Sequence, residues 1–154
     1  PIFKKVDLIK IIKNSLDFIK MTSKHSINLK YNLKKALING DENQLNRVII
    51  NLIKNSEEAF LDILKKDPNF KGIIDIEISD NKDYIVCSLS DNGPGIIDTK
   101  QAMIPYYTTK KLGNGLGLPI VTKIINEHAG NFMIKNKKKK SGAIISITLP
   151  KADA

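Results

Sequence analysis

Two successive stretches alternate between apolar and polar residues, and the second ends on a carboxylate. In the first, Ile74, Ile76 and Ile78 face one way, with Asp75, Glu77 and Ser79 opposite; Ile85, Cys87 and Leu89 repeat the pattern. Period-two alternation marks strands with one buried face. Asp91 keeps the parity of Ile85, Cys87 and Leu89, so its side chain falls on the apolar face that helices must cover. An unpaired carboxylate there is expensive, which makes Asp91 a site candidate rather than a turn decoration. It is followed at once by Asn92-Gly93-Pro94-Gly95, and later by a second cluster, Gly113-Asn114-Gly115-Leu116-Gly117-Leu118. A carboxylate can accept from a base amino group, glycines let backbone approach a ligand, and a helix start offers free N–H groups to phosphates. Together they read as a nucleotide site.

Around this pair the chain alternates helix and strand patterns. Residues 7–21 carry Leu8, Ile11, Ile12, Leu16 and Ile19 at helical spacing. Short strand patterns follow near Ser26–Tyr31 and Lys35–Ile38, the latter ended by Asn39-Gly40. Leu45, Val48, Ile49, Leu52, Ile53, Ala59, Phe60, Ile63 and Leu64 trace one face of a long helix from near Asp41 to before Pro68. Residues 92–113 have no clear period, as functional loops in compact domains often lack one. A helix from Leu116 through Ile120, Val121, Ile124, Ile125 and His128 stops at Gly130. Two closing strands lie near Asn131–Ile134 and Ala143–Leu149. The order predicts a single α/β two-layer sandwich over residues 1–154, with a mixed, mostly antiparallel sheet covered on one face by three helices.

Composition narrows the function. No apolar run is long enough to span a bilayer, and the start has no signal-peptide pattern. The one cysteine, Cys87, sits in a strand pattern and reads as a buried, reduced thiol in a cytoplasmic protein. The net charge of +9 invites nucleic acid, but Arg47 is the only arginine and aromatics are few. Base-reading surfaces lean on arginine forks and stacking rings, so no nucleic-acid partner is expected. Lys137-Lys138-Lys139-Lys140 lies between two strand patterns and reads as a solvated hairpin turn.

On the long helix, Asn51 and Asn55 are four apart and share a face that is not the apolar one. Alone, such a pair is ordinarily just solvated. A neutral amide oxygen also suits a Mg²⁺ ion that arrives bound to phosphate and keeps several waters.

With these residues in view, Asn51-Leu52-Ile53-Lys54-Asn55-Ser56-Glu57-Glu58-Ala59 resembles the N box of sensor histidine kinases. Asp91-Asn92-Gly93-Pro94-Gly95-Ile96 resembles their first glycine box. Ile104-Pro105-Tyr106-Tyr107-Thr108-Thr109-Lys110 is similar to the phenylalanine box, and Gly113–Leu118 to the second glycine box. Order and spacing fit from about residue 5 to Pro150, and the nitrogen-regulation type is the most similar in wording. The resemblance implies an ATP-binding catalytic domain of the Bergerat fold, with ATP and Mg²⁺ as cofactors. By position, Asn55 would ligate Mg²⁺ and Asp91 would hold the adenine amino group. Gly93, Gly95 and Ile96 would shape the base pocket, residues 96–113 would form a lid, and Thr109 and Lys110 would be phosphate-side contacts. Gly113 and the backbone of Gly115, Leu116, Gly117 and Leu118 would cap the phosphates at a helix start. Asn51 stands where hydrolysing relatives carry a glutamate base, so the site should hold ATP for transfer.

The resemblance also implies what lies elsewhere. The acceptor would be a histidine on a separate dimerisation domain of the same or a sister chain, with a response regulator downstream. The parent sensor would be anchored in the inner membrane, with no membrane contact by this domain. Neither His25 nor His128 has the context of a phosphoacceptor, so the fragment alone should not phosphorylate itself. His128, at a helix end, sits where cations are favoured. Ser56 replaces the family's usual alanine, a change expected to be harmless, and Tyr106 and Tyr107 stand where phenylalanine is common. Two other readings remain at this stage: an anti-sigma-type protein-serine kinase, and a non-catalytic nucleotide sensor.

Overall fold

The computed structural model describes residues 1–96 and 117–152. In chain order the elements are β1 (Lys4–Asp7), α1 (Leu8–Lys20), β2 (Ser26–Tyr31), β3 (Leu37–Gly40) and α2 (Glu42–Lys66). They continue with β4 (Ile73–Asp80), β5 (Tyr84–Asp91), α3 (Gly117–Glu127), β6 (Asn131–Asn136) and β7 (Ala143–Pro150). Five strands form one sheet in the order β2-β4-β5-β7-β6, and β1 and β3 form a separate ribbon. Within the large sheet β2 and β4 run parallel and the other pairs are antiparallel. A parallel pair needs a long crossover, which is why the chain between β2 and β4 contains α2.

The layers follow from side-chain period. Ile74, Ile76 and Ile78 of β4, Ile85, Cys87 and Leu89 of β5, and Ile145, Ile147 and Leu149 of β7 are all buried. The helices bring Ile12, Leu16, Leu52, Ile53, Phe60, Val121 and Ile125 against that face. The expected sandwich, mostly antiparallel sheet and three helices, is the observed one.

Both long N-terminal helices start on aspartate caps. The Asp7 carboxylate accepts from Ile9 N–H at 3.1 Å and also from Ala36 N–H at 3.0 Å. Asp41 accepts from Gln44 N–H at 3.0 Å. Each satisfies N-terminal amides that the helix itself cannot.

Three local expectations change. β1 has no sequence signal, since Val6 alone of its residues is buried, and its partner lies far along the chain. The strand expected at Lys35–Ile38 runs instead over Leu37–Gly40, because Asn39 and Gly40 pair with Lys5 and Lys4 rather than turning. Gly40 is small for a packing reason: a Cβ there would lie 2.8 Å from the His128 ring. Finally, the left-handed residue that ends α3 is Ala129, at φ +58°, rather than Gly130. Gly130 is needed for its size, since its Cβ would sit 2.5 Å from the Thr148 carbonyl oxygen.

Candidate functional site

Strand β5 delivers Asp91 to the helix-covered face at the strand's end, where it is 5% exposed. Its carboxylate is held from three directions. Oδ1 accepts from Gly93 N–H at 2.9 Å and from Ala143 N–H at 3.2 Å, while Oδ2 accepts from Ser56 Oγ–H at 2.8 Å. A buried charge this well supplied with donors is tolerated, and it is oriented.

The loop after Asp91 is fixed on both flanks by side-chain-to-backbone bonds. Asn92 Oδ1 accepts from Ile73 N–H at 2.7 Å, and its amide donates to Lys71 O at 3.0 Å. On the other flank Asn136 accepts from Ile96 N–H at 2.8 Å and donates back to Ile96 O at 2.7 Å. Ser141 Oγ–H donates to Gly93 O at 2.6 Å. Gly95 lies at φ +85° with its Cα hydrogen edge on Asn136, where a side chain would collide at 2.8 Å. Gly142 is tighter still, at φ +130°, and a Cβ there would approach the Asp91 carbonyl oxygen to 2.0 Å.

Helix α2 covers this loop. Its buried stripe includes Leu52, Ile53, Ser56 and Phe60, and Phe60 packs edge-on against His25 and Phe70 beneath Gly93. Asn51 and Asn55 are half-buried on the same helix, one turn apart. The Ser56–Asp91 bond therefore pins the turn that carries Asn55 to the end of β5. Helix α3 opens at Gly117, with Leu118 half-buried against the core. Thus Asp91, Gly93, Gly95 and Ile96 lie together at the end of β5, and Asn55 is next in sequence to the Ser56 that bonds Asp91. Thr109, Lys110, Gly113, Gly115 and Leu116, with most of the expected lid, lie outside the described residues.

Four residues of this arrangement were not picked out from the sequence: Ser56 as a partner of Asp91, and Asn136, Ser141 and Gly142. Their one sequence signal is the Ser-Gly pair entering β7, which reads simply as part of a turn. The Lys137–Lys140 run does occupy the turn between β6 and β7, as expected. Among the described residues no cluster of histidine, cysteine, aspartate or glutamate could hold a metal ion. A Mg²⁺ ion would have to rely on an amide such as that of Asn55 plus phosphate oxygens, a donor set that suits it.

The other reactive groups are structural. His128 accepts from Asp41 N–H at Nε2, at 3.0 Å, and its Nδ1 lies 2.7 Å from Ile124 O. A backbone N–H must donate, so the proton is on Nδ1 and the ring is neutral. At this helix end, where cations are favoured, His128 is instead a buried hydrogen-bonding link, stacked on Phe3. His25 Nδ1 accepts from Gly72 N–H at 3.3 Å. Burial pushes the Cys87 thiol up to about 12, so it stays protonated and unreactive.

A sheet with helices on one face and an oriented carboxylate before a glycine loop defines a nucleotide-binding α/β sandwich. The family model described as histidine kinase-, DNA gyrase B-, and HSP90-like ATPase matches residues 40–153, and the chain belongs to that family. Sporulation kinase C of Bacillus subtilis (strain 168) is 39% identical over 117 residues, covering 75% of this chain and 25% of its own length. A putative NtrY-like sensor histidine kinase of Rickettsia conorii is 33% identical over 150 residues, 96% of this chain and 24% of that protein. The catalytic domain of histidine kinase ThkA, nucleotide-free, superposes with TM-score 0.83 at 25% identity, covering 98% of this chain and 97% of that one. ThkA solved with response regulator protein TrrA gives TM-score 0.79 at 22% identity, over 97% of this chain and 42% of that one. The chain spans about a quarter of the length of the curated relatives named here. It is a catalytic domain of the histidine kinase type, and among the described residues no helix is long and apolar enough to cross a membrane.

Proposed function

We propose that this domain binds Mg-ATP and presents the γ-phosphate to a histidine on a separate dimerisation domain, in a two-component pathway with a response regulator downstream. The observation that carries this reading is the Asp91 carboxylate, buried, held by three donors and followed by a glycine loop that approaches it closely. It accepts the exocyclic amino group of adenine, and Gly93, Gly95 and Ile96 line the base side. Asn55 would hold Mg²⁺ through its amide oxygen, and the ion would supply neutralisation of phosphate charge. Asn51 cannot take a proton from water, which favours transfer over hydrolysis. Thr109, Lys110 and the backbone from Gly113 through Gly115, Leu116 and Gly117 to Leu118 serve the phosphates. The structural bonds of His25 and His128 support an acceptor on another domain, so this chain alone phosphorylates itself negligibly. The names of the relatives support a sensor kinase parent, and the composition supports a cytoplasmic site of action.

The test is calorimetric titration with ATP, with and without Mg²⁺. Replacing Asp91 by Asn turns an acceptor into a partial donor against the base amino group. A charge-assisted bond is worth about 1.5–3 kcal/mol, so affinity should fall roughly tenfold or more. Asn55→Ala should remove most of the gain that Mg²⁺ confers and leave Mg-free binding nearly unchanged. Wild-type affinity in both variants would refute the assignment.

A further inference from the structure

A buried carboxylate that selects a base must also be aimed, and the geometry assigns that task to a residue the N-box resemblance treats as neutral. The inference rests on Asp91 holding the base, as proposed above. Asp91 Oδ1 is filled by two backbone donors, Gly93 N–H at 2.9 Å and Ala143 N–H at 3.2 Å, which the loop after β5 and the start of β7 supply whatever their side chains. Oδ2 accepts from Ser56 Oγ–H at 2.8 Å, across from α2. Both residues are buried, at 3% and 5% exposure, so water does not compete freely for this bond.

The outer torsion of an aspartate is broad, and bonds to one oxygen leave the carboxylate plane free to rock. A donor on the second oxygen fixes it. An ionised carboxylate offers about four lone-pair directions. Ser56 occupies one on Oδ2 and leaves its neighbour as an acceptor of set direction. An ionised Asp91 has no proton to give, so Ser56 is the donor and the polarity of the pair is fixed: the lone pair left on Oδ2 is an acceptor only.

We propose that Ser56 is a positioning residue for base selection. It holds Asp91 so that the pocket accepts a 6-amino purine and rejects a 6-oxo purine, whose carbonyl oxygen would face a carboxylate lone pair. Sites that demand a specific hydrogen bond discriminate strongly, because the wrong ligand leaves a buried group unpaired. The same bond ties the α2 turn bearing Asn55 to β5, so base recognition and the metal-side amide share one anchor.

The test compares ADP with IDP, its 6-oxo analogue, by calorimetry on this chain carrying Ser56→Ala, Ser56→Cys, Ser56→Thr or Asp91→Asn. Melting curves verify the fold; alanine is smaller and is the family's usual residue here. The wild type should prefer ADP, and Ser56→Ala should cut that preference roughly tenfold or more, the worth of one hydrogen bond to a charged group. Ser56→Cys keeps the volume with a weak donor and should show a similar loss, whereas Ser56→Thr should restore the preference. An unchanged ADP-to-IDP ratio in Ser56→Ala and Ser56→Cys, even with both affinities lowered together, would overturn the proposal and leave Ser56 a packing residue. A wild type without preference, or Asp91→Asn binding like wild type, would instead remove the reading of Asp91 on which it stands.

Discussion

Ala129 sits at φ +58° where α3 ends, a conformation that costs an L-residue roughly 1–2 kcal/mol. Its N–H reaches Asn126 O, and the Gly130 N–H reaches Ile125 O, so the helix end is closed by a glycine-type cap without glycine at the left-handed position. Ala129→Gly should relieve the strain at some cost in unfolded-chain entropy, for a net gain of about 0.5–1 kcal/mol. Thermal denaturation should show a rise of roughly 1–4 °C, and a fall would mean that the alanine methyl has a packing role. The same scale explains why Asp91 was legible and Ser56 was not. Strand parity alone puts Asp91 on the buried face, whereas the Ser56 hydroxyl gains meaning only when α2 lies across β5. On the helix wheel Ser56 belongs to the stripe of Leu52 and Phe60, and a small polar residue in that stripe reads as a tolerated substitution.

The elements with strong periods, α1, α2, β4, β5 and β7, follow from the sequence because each buries a regular row of side chains. The short ribbon does not. β1 and β3 have four residues each and are stabilised by one another across a long sequence separation, so neither carries its own pattern. The β6–β7 hairpin was legible as strands and a basic turn, but not as the support of the glycine loop. That role depends on Asn136 reaching Ile96, and on Gly142 allowing backbone to lie against Asp91. Asn136→Ala should therefore loosen the loop and not the hairpin. Hydrogen exchange at the Ile96 amide is expected to accelerate about fivefold or more, for the loss of a bond worth ~1 kcal/mol, with the β6–β7 ladder unchanged. Equal acceleration throughout the hairpin would show that Asn136 supports the strands instead.

At the scale of the whole molecule, Asp41 joins three separate parts of the chain. It caps α2 through Gln44 N–H, accepts from Ile2 N–H at 2.6 Å, and donates its own N–H to His128 at the end of α3. The Gln44 amide first, and then that of Ile2, hold the Asp41 carboxyl below its usual value. A depressed carboxylate stabilises the fold above the unfolded value of roughly 3.9 and loses that contribution as pH falls through the folded value. Asp41→Asn keeps a cap but removes the charge. Its stability relative to wild type should be lowest at neutral pH and converge with wild type as pH drops below about 4. Chemical denaturation at neutral pH and at low pH checks this, and a constant difference would show that Asp41 acts through its cap alone. What the sequence determined by itself was what is periodic or carried by motif order: the layers, the buried parity of Asp91, the glycine loop that follows it, and the kinase-type order of motifs. Tertiary structure alone decided which groups meet: Ser56 with Asp91, Asn136 with Ile96, and His128 with Asp41. Those bonds join residues far apart in the chain, and no spacing rule encodes a hydrogen bond whose two ends are brought together only by packing.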